Sequence, residues 1–238
     1  MLTFDENSDP ALASDSGGEG LDFPYLGESV QSTEMAKFGA GSMALGDDAL
    51  TGFGSSLASG PQSDFGGSIS RMTISLWVKP GRDDIGGQPV FFLQRLNGSF
   101  EGSFTFRFSA SGHLIFSASV ERDGQAEGSN IQSERTPGLM MGEWTHFAMT
   151  FDGGEVTFYR NGEPVGSPQP MRDGVTAIPA LANSRLGVLR GLVSSPGVSH
   201  LDDFGFFADT ALTSDEIANI YEKGLVSSGI FDSKPKGP

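Results

Sequence analysis

Glu121 and Asp123 stand two positions apart, a spacing that sets two carboxylates on one face of a β-strand. Carboxylates about 5–5.5 Å apart can carry retaining glycoside hydrolysis. The residues around them (122–130, RDGQAEGSN) read as a loop, so the pair is not expected to be catalytic. His146 is the next candidate. In WTHFAMTF (144–151) it alternates with Phe147 and Met149 and therefore points away from that apolar set. Arg107, Ser109, Ser117 and Tyr159 are expected to share its face. A polar sheet face with one aromatic suits a glycan or a peptide, and an ordinary solvated face has the same pattern. His146, Arg107 and Tyr159 are the ligand-binding candidates. His113 and His200 are isolated and lack metal-ligand spacing. No serine elbow, phosphate loop or zinc-protease motif occurs. With no cysteine, disulfides, thiolate metal sites and cysteine nucleophiles are excluded.

Period-two alternation supplies the elements that hold these residues. Ile74, Leu76 and Val78 alternate with Ser75, Trp77 and Lys79. Phe104, Phe106 and Phe108 alternate with Thr105, Arg107 and Ser109, and Leu114, Phe116, Ala118 and Val120 continue the inward set. Phe147, Met149 and Phe151 repeat it before a turn at Asp152-Gly153-Gly154, and Asn161-Gly162 forms a second tight turn. Further strands are predicted at 2–4, 37–45, 90–95, 156–159, 184–189 and 201–207. Residues 5–30, 46–68 and 121–142 read as loops. A single helix is predicted after Thr213 or Ser214, with Glu216 completing a capping box, Ile217, Ile220 and Tyr221 forming a stripe, and Gly224 as the stop. Many short strands with one late helix indicate an all-β fold, a two-sheet antiparallel sandwich. Residues 1–225 form the domain and 226–238 a polar tail or linker.

Net charge is −15, from 30 acidic against 15 basic residues, and no basic cluster offsets it. Such a field disfavours phosphate backbones and anionic membranes and favours cation binding, so nucleic acid is excluded as a partner. No apolar run reaches membrane-spanning length, so membrane insertion is not expected. The 19 Phe, against 2 Trp and 3 Tyr, suit a core between sheets filled mainly by Phe. Trp77 and Trp144 lie at apolar strand positions and are expected to be structural rather than sugar-stacking. Met1 runs at once into a strand-like segment with no leader, so the chain is either cytoplasmic or its leader lies outside this sequence.

An ordered set of motifs carries a resemblance. Leu2-Thr3-Phe4-Asp5-Glu6, Asp15-Ser16-Gly17-Gly18, Lys37-Phe38-Gly39, the segment SLWVKP (75–80), Trp144-Thr145-His146, the Asp-Gly hairpin, Asn161-Gly162, Asp202-Asp203 and the capped helix follow one another to about residue 225. The chain thereby resembles the laminin-G-like, concanavalin-A-like lectin/glucanase jelly rolls, especially their bacterial branch. One departure is Phe204-Gly205-Phe206-Phe207, where relatives often carry a basic residue and an aromatic; Gly205 leaves a gap on one face.

The resemblance implies a jelly-roll sandwich with carbohydrate or protein ligands. It also implies a structural calcium joining the first loop to the last strand, with Asp15, Asp202 and Asp203 as its ligands; calcium takes several oxygens from carboxylates and carbonyls. The glucanase pattern requires a third acid at 125 or 126, and these are Gln125 and Ala126, with Glu127 one place late. The expected function is therefore a non-catalytic recognition or adhesion module, calcium-stabilised, extracellular, periplasmic or at the cell surface, within a larger multidomain protein. The alternatives are a polysaccharide hydrolase or lyase of the same fold, or a purely structural domain of a surface protein.

Overall fold

The computed structural model describes residues 5, 12–13, 23–26, 30–44, 56–58, 68–81, 92–96, 104–109, 111–122, 125–171, 175–178, 185–189 and 198–230. Its strands form two antiparallel sheets. The first runs in the order β1 (Leu12–Ala13), β2 (Phe23–Leu26), β5 (Ser56–Ala58), β15 (Arg185–Leu189), β7 (Phe92–Leu96), β8 (Phe104–Phe108), β9 (Leu114–Arg122) and β10 (Gln125–Gln132). The second runs β13 (Glu163–Pro164), β12 (Glu155–Arg160), β11 (Thr145–Asp152), β6 (Arg71–Pro80), β16 (Val198–Ala208), β4 (Ser42–Ala44) and β3 (Val30–Ser32), with β14 (Gln169–Pro170) also paired to β12.

The alternation places the core as expected. Ile74, Leu76 and Val78 of β6 and Phe147, Met149 and Phe151 of β11 meet Phe104, Phe106 and Phe108 of β8 and Leu114 and Phe116 of β9 in one buried cluster. Phe106, Phe116 and Phe147 are fully buried, as their strand parity requires. The second sheet is covered on its other face as well. Ala148, Tyr159 and Phe207 there pack with Leu212, Ile217, Ile220, Leu225 and Ile230 in a second cluster. This is why β6 is buried at nearly every position instead of at every other one. The covering element is α1 (Ser214–Ser228), entered through Thr213, whose hydroxyl accepts from the Glu216 amide while the Glu216 carboxylate accepts from the Thr213 amide.

Several expectations are corrected. Residues 121–142 do not form a loop throughout, because β9 continues to Arg122 and pairs without a register break with all of β10. The segments read as loops hold β1, β2 and β5, and the strand expected over 37–45 is confined to Ser42–Ala44. Gly224 ends the first helical stretch as expected, but a second short helical segment follows it directly within α1. Gly224 adopts φ 77° and ψ 167°, kinks the chain, and helical residues continue to a left-handed cap at Gly229. Of the expected polar tail or linker, residues 226–228 are helical with Val226 exposed, and Ile230 is buried. The strand expected at 2–4 and the remainder of the tail, 231–238, lie outside the described residues.

Candidate functional site

The two sheets divide the residues expected to share one face. His146 does point away from Phe147, but α1 roofs that side, and both His146 and Tyr159 are buried. The His146 Nε2 lies 2.8 Å from Ser75 Oγ, and its ring packs beside Trp77 (5.3 Å) and Tyr221 (6.0 Å). Burial pushes its pKa down to about 3, so the imidazole is neutral at physiological pH. The Tyr159 hydroxyl is 3.3 Å from Ser214 Oγ at the start of α1. Trp77 is buried and stacked on Tyr221 (5.4 Å), with the Lys37 ammonium 4.3 Å above its ring. Trp144, by contrast, is half-buried, with His200 at its edge and Lys79 over its ring. The expected open face containing His146 and Tyr159 is therefore not formed, since a helix cannot cap the second core cluster without covering them.

Arg107 lies on the other sheet, whose outer face no helix covers among the described residues, although Ile115 within it is buried. Register places Thr105 beside Ser117, and Ser117 beside Asn130, in one row across β8, β9 and β10. Arg107, Ile115 and Gln132 form the neighbouring row. Asn130 and Gln132 are exposed, while Thr105, Arg107 and Ser117 are half-buried. The Ser117 hydroxyl donates to Asn130 Oδ1 at 2.9 Å. Hydroxyls, carboxamides and one guanidinium are thus aligned on a rigid sheet, a surface able to donate to and accept from the hydroxyls of a sugar. Asn130 and Gln132 went unnoticed in the sequence because their segment reads as a loop. Ser109 instead ties the Ser109–His113 turn, its hydroxyl donating to the His113 carbonyl.

A third constellation gathers carboxylates where the chain's first and last parts meet. Between Asp202, opposite Trp77, and Gly205, opposite Ser75, β16 holds one extra residue. Asp203 has φ 47° within this bulge. Asp202 Oδ2 accepts from the amides of Lys37 (2.6 Å) and Phe38 (3.2 Å), and its Oδ1 accepts from the Asp203 amide. Asp203 Oδ2 accepts from the Leu225 amide at 2.8 Å, just past the helix kink. Asp5, read in the sequence only as part of a strand motif, accepts through Oδ1 from the amides of Ala40 and Gly41. Gly205, whose missing side chain left a gap, is filled by Leu225, which an added Cβ would meet at 3.1 Å.

Burial raises the Asp202 pKa to about 7, and the neighbouring Asp203 charge pushes in the same direction against the pull of the amides. Burial and the Asp5 charge raise Asp203 to about 6. Both values exceed those of the unfolded chain, so the folded state binds these protons more tightly. Their contribution to stability is therefore largest near pH 4 and declines as pH rises toward 7. In the presence of a chelator, the melting temperature should rise between pH 7.5 and pH 5. In Asp203→Asn that rise should shrink, and an unchanged rise would show that these carboxylates do not ionise as described.

Asp15 lies outside the described residues, among which no group of three or more His, Asp or Glu side chains could hold a metal ion. Asp203 Oδ1 and Asp5 Oδ2 accept no hydrogen bond among the described residues. Two such oxygens fit the chemistry of a hard cation such as calcium, and they are only part of the six to eight it takes.

A two-sheet antiparallel sandwich with one helix packed on its second sheet has the architecture of a jelly roll. The family model for the concanavalin A-like lectin/glucanases superfamily matches residues 51–218, and the chain belongs to that superfamily. No curated protein matches the chain. Among solved structures, it is similar to the binding domain of botulinum neurotoxin serotype G at 13% identity and a TM-score of 0.66, covering 93% of this chain and 50% of that one. It is similar to the binding domain of botulinum neurotoxin DC in complex with rat synaptotagmin II at 10% identity and a TM-score of 0.64, covering 94% and 51%. It is also similar to Domain 4 of AbnA, a GH43 extracellular arabinanase from Geobacillus stearothermophilus, in complex with arabinotriose. That match has 21% identity and a TM-score of 0.55, and covers 92% of this chain and 96% of that one. The chain spans about half the length of the neurotoxin binding domains it matches. Among the described residues, no helix is long and apolar enough to cross a membrane.

Proposed function

We propose that the chain is a non-catalytic recognition module that binds a glycan on the outer face of its first sheet. The observation that carries this reading is the alignment of Thr105, Arg107, Ser117, Asn130 and Gln132 on one face. The arabinanase domain adds support, because it is matched over nearly its whole length and its structure contains arabinotriose. A protein ligand is the second reading, favoured by the neurotoxin binding domain in complex with synaptotagmin. Against catalysis stand Gln125 and Ala126, which occupy the positions where the glucanase pattern needs its third acid.

A glycan array that includes arabino-oligosaccharides, run alongside a turnover assay on the same protein, tests the reading. Hydrogen bonds to a charged group contribute about 1.5–3 kcal/mol. Arg107→Ala should therefore weaken glycan binding ~10- to 100-fold at an unchanged melting temperature. Turnover of a bound polysaccharide, or undiminished binding by Arg107→Ala, would overturn the reading.

The same proposal includes a structural calcium. Asp203 and Asp5 would offer their remaining oxygens, Asp15 would contribute from the first loop, and Asp202 would hold the joint from its other side. The ion would supply positive charge where buried carboxylates repel one another. Calcium at a hundredfold excess over its dissociation constant would add about 2.7 kcal/mol of stability. Chelation should lower the melting temperature of the parent protein and leave that of Asp203→Ala unchanged. Equal melting of the metal-free parent with and without calcium would remove the ion from the proposal. Placement outside the cytoplasm, where calcium sites of modest affinity fill, belongs to the same reading.

A further inference from the structure

The ends of the two sheets are unequal. β1 and β13 are two residues long and β3 is three, whereas β10 closes the first sheet with eight residues, Gln125–Gln132. Natural sheets protect such edges with lysines, prolines, bulges or very short strands, because an open edge presents a row of unused amides and carbonyls. β10 has no lysine, proline or bulge, and Glu127 is its one charged residue. It reads QAEGSNIQ, and all eight residues pair with β9 without a register break. Its second edge has no backbone partner among the described residues. An added Cβ at Gly128 would meet nothing within 4 Å, and Asn130 and Gln132 are exposed on the same side. On the inner side Ser129 is buried, its hydroxyl 3.8 Å from Met171 Sδ, and Ile131 packs against the main core.

We propose that β10 receives an extended basic peptide segment of a partner protein as a ninth strand of the first sheet. Eight residues offer a ladder of about 27 Å, ample for a six- to eight-residue segment. Alternation on the incoming strand sets its chemistry. Residues facing inward extend the apolar surface beside Ser129 and Ile131 and are β-branched or small. Residues facing outward cross the open space at Gly128 and lie along Asn130 and Gln132, where long polar side chains fit. Charge selects the occupant. A second copy of this chain would bring another −15 against −15, whereas a lysine- or arginine-bearing segment is drawn in by that field. The two readings share Asn130 and Gln132 but part at Arg107 on β8 and at the β10 backbone: Arg107→Ala should weaken glycan and leave the peptide unaffected, whereas N-methylation of the peptide tests the edge alone.

The test uses a fluorescent eight-residue peptide alternating Val and Lys, its counterpart with Glu in place of Lys, and a version N-methylated at alternate residues. The Val-Lys peptide should raise amide-exchange protection across 125–132 at least tenfold, while the Val-Glu and N-methylated peptides should not. The double substitution Asn130→Lys with Gln132→Lys should weaken the Val-Lys peptide at least tenfold. Binding without protection of β10, or equal binding of the N-methylated peptide, would overturn the proposal. So would protection of β10 that grows with protein concentration in the absence of peptide, since that would assign the edge to a second copy.

Discussion

Phe147→Ala should cost ~3–5 kcal/mol and lower the melting temperature by roughly 6–20 °C. Phe147 is fully buried on β11 and stacks on Phe108 of β8 with ring centroids 5.1 Å apart, so its ring bridges the two sheets. The Arg160 guanidinium lies 5.8 Å from the same ring and holds the 136–138 segment through Thr136 Oγ1 and the carbonyls of Pro137 and Gly138. Truncation therefore opens a cavity and also loosens a loop anchor. Phe106→Ala and Phe116→Ala should fall in the same range. Phe116 contacts both Phe104 and Phe151, so a double substitution with either should depart from additivity. Thermal or denaturant unfolding of the three single variants measures this. A cost below ~1 kcal/mol at Phe147 would mean that the two sheets do not meet at this ring.

The inward face of each strand was legible because a buried face imposes strict alternation, and the phenylalanines at 104–108, 116 and 147–151 obey it. The helix start was legible because Thr213 and Glu216 satisfy each other's amides locally. What alternation cannot reveal is a third layer. Ser75, Trp77 and His146 occupy polar or mixed positions that look solvent-facing on β6 and β11, and only α1, far along the sequence at 214–228, buries them. Hence His146 and Tyr159 were expected on an open face, while Arg107, on the sheet that no helix covers among the described residues, remained half-exposed. β10 was missed because Gln, Gly, Ser and Asn have low strand propensity; its pairing comes from β9, whose own alternation was clear. Asp202 and Asp203 were visible as a pair, but not their amide partners at 37–38 and 225, which lie far away in sequence.

Gly224→Ala should destabilise the protein by ~2–5 kcal/mol, through backbone strain and close approach together. Gly224 has φ 77° and ψ 167°, a region essentially reserved for glycine. Its new Cβ would also lie 2.7 Å from Asp203 Oδ2 and 2.8 Å from Phe38 Cγ. Neither neighbour can retreat cheaply. Asp203 is held by the Leu225 amide, and Phe38 is packed edge-on against Trp77 while its own amide is bound to Asp202. Moving the helix away would withdraw Leu225 from the space above Gly205 and expose Ile230. The variant should thus lose amide-exchange protection over 225–230 first and melt about 5–15 °C lower. Adding Phe38→Ala should recover little, because the backbone strain and the approach to Asp203 persist. Melting of Gly224→Ala within ~1 °C of the parent, with protection of Leu225 intact, would show that the kink does not seat the carboxylate of Asp203.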